Sequence, residues 1–561
     1  MPTPRLFVIA VAGAAAFGIA HGQSPERLAA IAQSFADRGL FTGTVLVARG
    51  DQVLLDRGWG LASQEWQVPN APGVKYLLAS VSKQFTAAAL LRLVDQGRLG
   101  LDDALSRHLS GLPAAWSAVT ARQLLAHTSG LPNHTQGGGL EKIRHQQMTP
   151  SELYASFRDA PLDFSPGNGW NYSNSGYVMA GMLIEQLSGK SYAEFVRTEL
   201  LQPMGMTSSG VAHSAAIVPQ LASGYVKEGK VLRPANFLNM SIPYSAGALY
   251  GTTGDLLKWQ QGLYGGALLS PASLKEMTTP VRNNYALGLN VSSAGQPLSY
   301  GHSGGIDGFS TYLHYEPAQK LTIAVLSNQE SSAAPALALK LAAAANGLAV
   351  VLPEERKAVE LPGAAQDRVQ GSYSLPNGRT LWVIRRGGAL WARLGNEQWT
   401  PLVAESASNF YAPQVDGELR FELPASGSAR SVTLPDLPGQ PSGPRAALPL
   451  PSLTAQPVYL RGSMNRWSTD HRLTLGVDGL HRTVVDLGAG THEFKVASED
   501  WAAIDLGAAT PGTALPGSGS MVLTGAGRNI ALLLEKASRC EFSVDGRDIV
   551  EPRLEFNCKA R

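Results

Sequence analysis

The periodicity of this chain changes near Pro353, and no single fold accommodates both sides of the change. From about Pro25 to Gly347, helical and strand-like segments are interleaved in one long region. Beyond it, short alternating runs such as Thr380–Ile384 and Glu418–Glu422 follow one another, separated by Gly and Pro. Such runs are strand signals between frequent turns, the pattern of small all-β domains. At 561 residues the chain also exceeds what one hydrophobic core organises, so several domains are expected.

Within the mixed region, Pro25–Asp37 has a helical rhythm. Gly43–Ala48 and Gln52–Gly58 read as strands joined by a hairpin at Arg49-Gly50-Asp51. Ser82–Gln96 places Phe85, Ala89 and Leu93 on one helical face, with Gly97 as a C-cap. A second strong helix is expected over Gly176–Leu187, ending at Ser188-Gly189. Phe309–Tyr315 and Leu321–Leu326 read as strands with a turn at Pro317, and the alanine-rich Ala333–Ala345 as a last helix. Terminal helices on a sheet, with a helical insert between early and late strands, make an α+β layout.

Net charge is +2 with no long charge run, which gives no reason to expect nucleic acid or an acidic membrane as partner. The first residues read as an export signal. Arg5 is followed by the uncharged apolar stretch Leu6–Ala20, and Ala20-His21-Gly22 offers small residues before a cut at Gln23. That stretch is short for a bilayer span, and no other segment suits one, so no integral membrane segment is expected after cleavage. The destination is periplasmic or secreted. Cys540 and Cys558 are the two cysteines. In an exported protein such a pair is expected to form one disulfide holding the last strands together, and no metal cluster surrounds them.

Ser80-Val81-Ser82-Lys83 fits S-x-x-K at the start of a strong helix. There the serine oxygen meets free N–H groups and the positive dipole end, and a lysine three residues on shares its face. A desolvated lysine loses basic strength and can accept a proton. A chain of this length holds roughly two such motifs by chance, so alone the motif reads more readily as a helix cap beside a solvated lysine than as a catalytic pair. Tyr172-Ser173-Asn174 precedes the second strong helix. A tyrosine beside an ammonium is expected to have a lowered pKa, which would let it take and return a proton, while Asn174 holds a substrate amide or orients the lysine. In Gly301-His302-Ser303-Gly304-Gly305 the glycines permit close approach to a strand edge. The N–H groups of Gly305 and Ser80 would form an oxyanion hole, with His302 placed to meet a substrate carboxylate or to tune Lys83 and Tyr172.

The order S-x-x-K, Y-x-N, H-x-G resembles the serine β-lactamases and penicillin-binding proteins, in the branch of the class C β-lactamases, D-stereospecific peptidases and related esterases. Ala79–Thr86, Leu124–Pro132 with its His127-Thr128-Ser129-Gly130 core, Tyr172–Tyr177 and Ala246–Trp259 are similar to segments of that family. The resemblance covers about Pro25–Leu348. It implies a β-lactamase/transpeptidase-like domain, an antiparallel sheet flanked by helices with a helical insert, and two-step acyl transfer through Ser80 without metal or organic cofactor. His127 lies in a segment that the family uses structurally, so it is left out of the site. His302 stands where class C β-lactamases carry lysine, so the permanent cation for a β-lactam carboxylate is missing.

The expected organisation is a signal peptide at 1–22, a hydrolase domain at 23–350, a β-domain at 356–434, a Pro-rich linker at 435–457 and a β-sandwich at 458–561. The first β-domain resembles the lipocalin-like domain that follows this catalytic fold. Trp382, Trp391 and Trp399 are expected in its core in preference to lining a pocket, and its role would be to cover or shape the active-site mouth. The second resembles carbohydrate-binding modules of starch- and glycogen-acting proteins, through Val458–Trp467 and His492–Val496 leading to Trp501. There Trp467 and Trp501 would stack on sugar rings or pack internally. The leading expectation is a hydrolase of an ester or amide, with a D-amino-acid peptide as one candidate, acting on a small-molecule or peptide substrate. The alternatives are a penicillin-binding carboxypeptidase or slow β-lactamase, and a non-catalytic protein that holds glycan or peptidoglycan.

Overall fold

The computed structural model describes residues 24–561, apart from 137–138, 229–230, 293–296, 332, 377, 396, 436–440, 448–452, 454–456, 500, 502–503, 509–514 and 526. The expected export signal therefore lies outside the described residues. The first region is built on α1 (Pro25–Asp37), β1 (Gly43–Arg49), β2 (Gln52–Trp59), α2 (Ser82–Asp95), α3 (Asn174–Ser188), β3 (Asn290–Val291), β4 (Tyr300–Ile306), β5 (Phe309–Glu316), β6 (Leu321–Ser327) and α4 (Ala333–Ala345). The sheet is antiparallel in the order β3-β4-β5-β6-β1-β2.

Both faces of that sheet are covered, and its central strands are accordingly apolar on both sides. Val45, Val47, Ile323 and Val325 pack against α1 and α4 through Leu28, Ile31, Leu337 and Leu341. Their neighbours Leu46, Ala48, Ala324 and Leu326 join the larger core under the helical insert. The expected helices and strands are present within a few residues. The second strong helix starts two residues early because the Ser173 hydroxyl caps it, and it stops at Gly189 in a left-handed conformation (φ +74°). One expectation was too narrow: α2 is buried on every side, its Phe85 ring stacked 3.8 Å from that of Trp259.

Eight strands between Gly371 and Ala446 close into a barrel, the first pairing with the last through Ser372 and Ala446. The closing strand, Ser442–Ala446, lies in the stretch expected as a linker. Its Pro and Gly content hid a strand that sits between two neighbours. Leu381, Val383, Leu390, Phe410 and Phe421 fill the interior. Trp382 and Trp391 are only half-buried, so they do not supply the core, whereas Trp399 is buried. From Val458 to Ala560 the described strands form one continuous sheet that closes on itself, since Val458–Gly462 pairs with Gly490–Ala497 as well as with Arg472–Leu475, a closed barrel where a sandwich was expected. Cys540 and Cys558 face each other on paired strands and are disulfide-bonded.

The first barrel docks behind the sheet, on α1 and α4. Asp416, 2% exposed, accepts Arg38 Nη1 at 2.9 Å and Tyr411 OH at 2.5 Å, with Lys340 Nζ at 3.6 Å. Arg356 bridges Glu405 and Glu418 beside it. Removing one member of a buried ion cluster leaves the others uncompensated. Asp416→Ala is expected to cost about 3 kcal/mol. Differential scanning calorimetry should show an early transition belonging to the barrel; an unchanged melting profile would contradict this.

Candidate active site

Ser80 lies in a single 3-10 turn, Ala79–Val81, that leads directly into α2. Ala79 is held at φ +50°, a conformation that a residue with a Cβ resists. Close packing keeps it there. Thr311 Oγ1 of β5 donates to the Leu78 carbonyl at 2.9 Å, and a Cβ on Gly304 would come within 2.3 Å of that same oxygen. Glycine at 304 is thus what allows β4 to lie against the serine turn.

Three elements converge on Ser80. Lys83, on the first turn of α2, places Nζ 3.0 Å from Ser80 Oγ, 2.9 Å from Asn174 Oδ1 and 2.9 Å from the Ala246 carbonyl. Tyr172, from the loop before α3, donates its hydroxyl to Ser80 Oγ at 2.9 Å. Asn174, the first residue of α3, also donates Nδ2 to Thr135 Oγ1 at 2.9 Å. The ammonium position lies 4.8 Å from the Tyr172 ring centroid and 5.2 Å from that of Tyr177. Ser80, Lys83, Tyr172 and Asn174 are therefore brought together as the motifs anticipated.

The electrostatics differ from expectation in two places. Burial drives the Lys83 pKa well below that of an ordinary lysine, as anticipated. Burial also raises the Tyr172 pKa above its usual value, outweighing the hydrogen bond to Ser80 that lowers it. The expected lowering by a neighbouring ammonium is thus reversed, because a shielded phenol meets a depressed amine. His302 is 3% exposed, with Nε2 at 2.9 Å from Tyr285 OH and Nδ1 at 2.6 Å from the Ser303 carbonyl. Both ring nitrogens are engaged inside the protein, and burial lowers its pKa to about 3.

Beside Ser80 opens a cavity of about 200 Å³. Leu140, Leu238, Ile242, Pro243 and Ile306 form apolar walls, with Thr135, His134, Asn174 and Asp307 as polar points. Every lining residue lies between Ala79 and Asp307, so among the described residues the barrel lines no part of this cavity. A Cβ on Gly305 would meet nothing within 4 Å. Hydrogen-bonded pairs alternate along an antiparallel ladder. Counted from the tight turn that closes on Ile306 and Phe309, this alternation points the Gly305 N–H off the sheet edge. Thr135, Leu238 and Ile242 were not identified from sequence, because they sit in irregular loops without periodicity, and Leu140 because its helix, Gly139–Ile143, is too short to show a period. The Ala246 carbonyl is main chain and carries no residue-type signal.

In the last domain the structure brings Trp467 and Trp501 together, ring centroids 6.0 Å apart and tilted by 45°. Both are half-buried and left-handed, at φ +64° and +59°. The Arg461 guanidinium lies 4.1 Å from the Trp501 ring centroid.

Residues 28–347 match the family model described as Beta-lactamase. Penicillin-binding protein 4* of Bacillus subtilis (strain 168) is 30% identical over 437 residues, covering 73% of this chain and 96% of that protein. A penicillin-binding protein from Bacillus halodurans aligns with TM-score 0.50 at 25% identity, over 56% of this chain and 98% of its own. A D-amino acid amidase from Ochrobactrum anthropi shares the fold, with TM-score 0.51 at 22% identity over 57% and 97% of the two chains.

Burying Lys83 has a measurable consequence for stability. The unfolded lysine keeps its proton up to about 10.5, while the folded one releases it at lower pH. Between those values the unfolded state binds more protons, so the parent loses stability as pH falls. The melting temperature of Lys83→Met relative to the parent should therefore rise as pH drops from the lysine range toward neutrality. A difference that does not change with pH would mean that the folded lysine titrates normally.

Proposed function

The chain belongs to the β-lactamase family of serine hydrolases, and from that premise we propose that it is an exported acyl-transferring hydrolase of esters or amides, including D-amino-acid peptides. The observation that carries the reading is the buried amine of Lys83 at 3.0 Å from Ser80 Oγ. A neutral amine has two N–H groups and one lone pair. Asn174 Oδ1 and the Ala246 carbonyl take the two donors, which leaves the lone pair for the serine proton. Lys83 is then the base as Ser80 attacks the carbonyl. Tyr172, kept protonated by burial, is the group that hands a proton to the leaving amine or alcohol and recovers one from Lys83. The N–H groups of Ser80 and Gly305 receive the oxyanion. Water then releases the acyl group by the reverse sequence.

The cavity favours an apolar acyl portion, because its walls are aliphatic. The neutral, internally bonded His302 supplies no cation for a β-lactam carboxylate, which supports ester or amide turnover over rapid β-lactam hydrolysis. A second reading is a penicillin-reactive carboxypeptidase or slow β-lactamase. It is favoured by the printed name of the Bacillus subtilis relative. The paired Trp467 and Trp501 support a glycan contact made by the last domain, which would place the hydrolase near polysaccharide.

Intact-mass measurement after incubation with excess benzylpenicillin, and with 4-nitrophenyl esters, tests the reading. The parent should acquire an acyl mass that Ser80→Ala does not, and ester turnover should drop by roughly 10³-fold or more in Ser80→Ala. A stable penicillin adduct would favour the second reading. Equal turnover by the parent and Ser80→Ala would sink both.

A further inference from the structure

One residue grips the Tyr172 segment on both flanks. The ring Nδ1 of His127 accepts the Ser173 N–H at 3.1 Å, and the His127 main-chain carbonyl accepts the Asn171 N–H at 3.1 Å. Tyr172 is suspended between these anchors, and its ring centroid lies 4.2 Å from that of His127. Tyr285 and Tyr177 close on the histidine ring at 4.7 and 5.3 Å. His127 is 1% exposed and held at φ +60°, a strained backbone for a residue of its size. Strain of this kind persists where the surroundings over-determine it, and here what it secures is the approach of a hydroxyl to the nucleophile.

We infer that His127 is a positioning residue for Tyr172: it fixes the loop on either side so that the phenol hydroxyl points at Ser80 Oγ. His127 is not a proton shuttle in this reading, since its acceptor nitrogen is committed to a main-chain amide. The inference rests on the proposed role of Tyr172 in acylating Ser80. An unanchored loop would let the hydroxyl swing, and a misplacement of about 1 Å in a reacting group costs up to roughly a hundredfold in rate.

The test is the rate of Ser80 acylation, read with a fluorophosphonate probe and with the 4-nitrophenyl acetate burst. His127→Gly removes the ring but suits the left-handed backbone, and His127→Asn suits that backbone while offering an Oδ1 in the place of Nδ1. His127→Gly should slow acylation by roughly ten- to a hundredfold with KM for the ester little changed. His127→Asn should stay within about threefold of the parent, and both should keep the parent pH profile. In a Tyr172→Phe background His127→Gly should make no further difference, because no hydroxyl remains to be aimed. Equal slowing in both backgrounds, a shifted pH profile, or a parent-like rate for His127→Gly would overturn the inference. Should the glycine variant fail to fold, a loss of about tenfold or more in His127→Asn does the same. Failure of the underlying reading has a different signature: Tyr172→Phe reacts at the parent rate, or the probe leaves Ser80 unlabelled.

Discussion

The removal of one amine from water organises the catalytic region. Lys83 is held inside by a helix with no solvated face, so its charged form is penalised and its hydrogen-bonding capacity must be met by protein. The acceptors come from parts of the chain far apart in sequence, Asn174 at the head of α3 and the carbonyl of Ala246. Bringing them together requires α2, α3 and the segment around Ala246 to pack without gaps. Small residues make that possible. A Cβ on Gly181 would collide with Ser245, and one on Gly247 would crowd Pro243 at 3.2 Å. The close approach of β4 to the serine turn through Gly304 follows the same logic from the sheet side.

The aromatic and imidazole rings around Tyr172 extend this constraint. His127 and His302 both have lowered pKa values, with burial as the larger cause and the Lys83 charge as a lesser one. Neutral imidazoles accept hydrogen bonds that imidazolium ions refuse. Burial thus converts two histidines from pH switches into fixed struts, one on the Tyr172 loop and one on Tyr285. The same burial keeps Tyr172 a phenol. The site separates its roles by solvation, with a depressed amine beside a raised hydroxyl.

What the sequence revealed followed from period and spacing. The sandwiched strands β1 and β6 and the glycine stop at Gly189 are local signals, so their positions were legible within a few residues. Ser80, Lys83, Tyr172 and Asn174 were legible through the order of three motifs and its resemblance to a known family, since each motif taken alone reads as readily as a helix cap or turn. The direction of the Tyr172 shift was not legible, since it depends on how much protein surrounds the ring. The engagement of His302 Nε2 depends on Tyr285, which no spacing connects to it. Ser442–Ala446 was hidden for another reason. Proline and glycine read as linker, and only the barrel's need for a last partner makes that stretch a strand.

The position of the first barrel bears on how the chain works as a whole. Its ionic anchor lies on α1 and α4, across the sheet from the face that meets the helical insert, and the cavity beside Ser80 is lined without it. Among the described residues, none of that domain lines the cavity. What it holds is the pair of terminal helices, and through them β1 and β6 at the centre of the sheet. The barrel in turn reaches the last domain through Arg386, paired with Asp548 and Glu551. Anchoring passes from sheet to helices to barrel to the tryptophan-bearing domain, while the chemistry is complete within the first region. A glycan contact at Trp467 and Trp501 would then locate the enzyme without altering the geometry at Ser80.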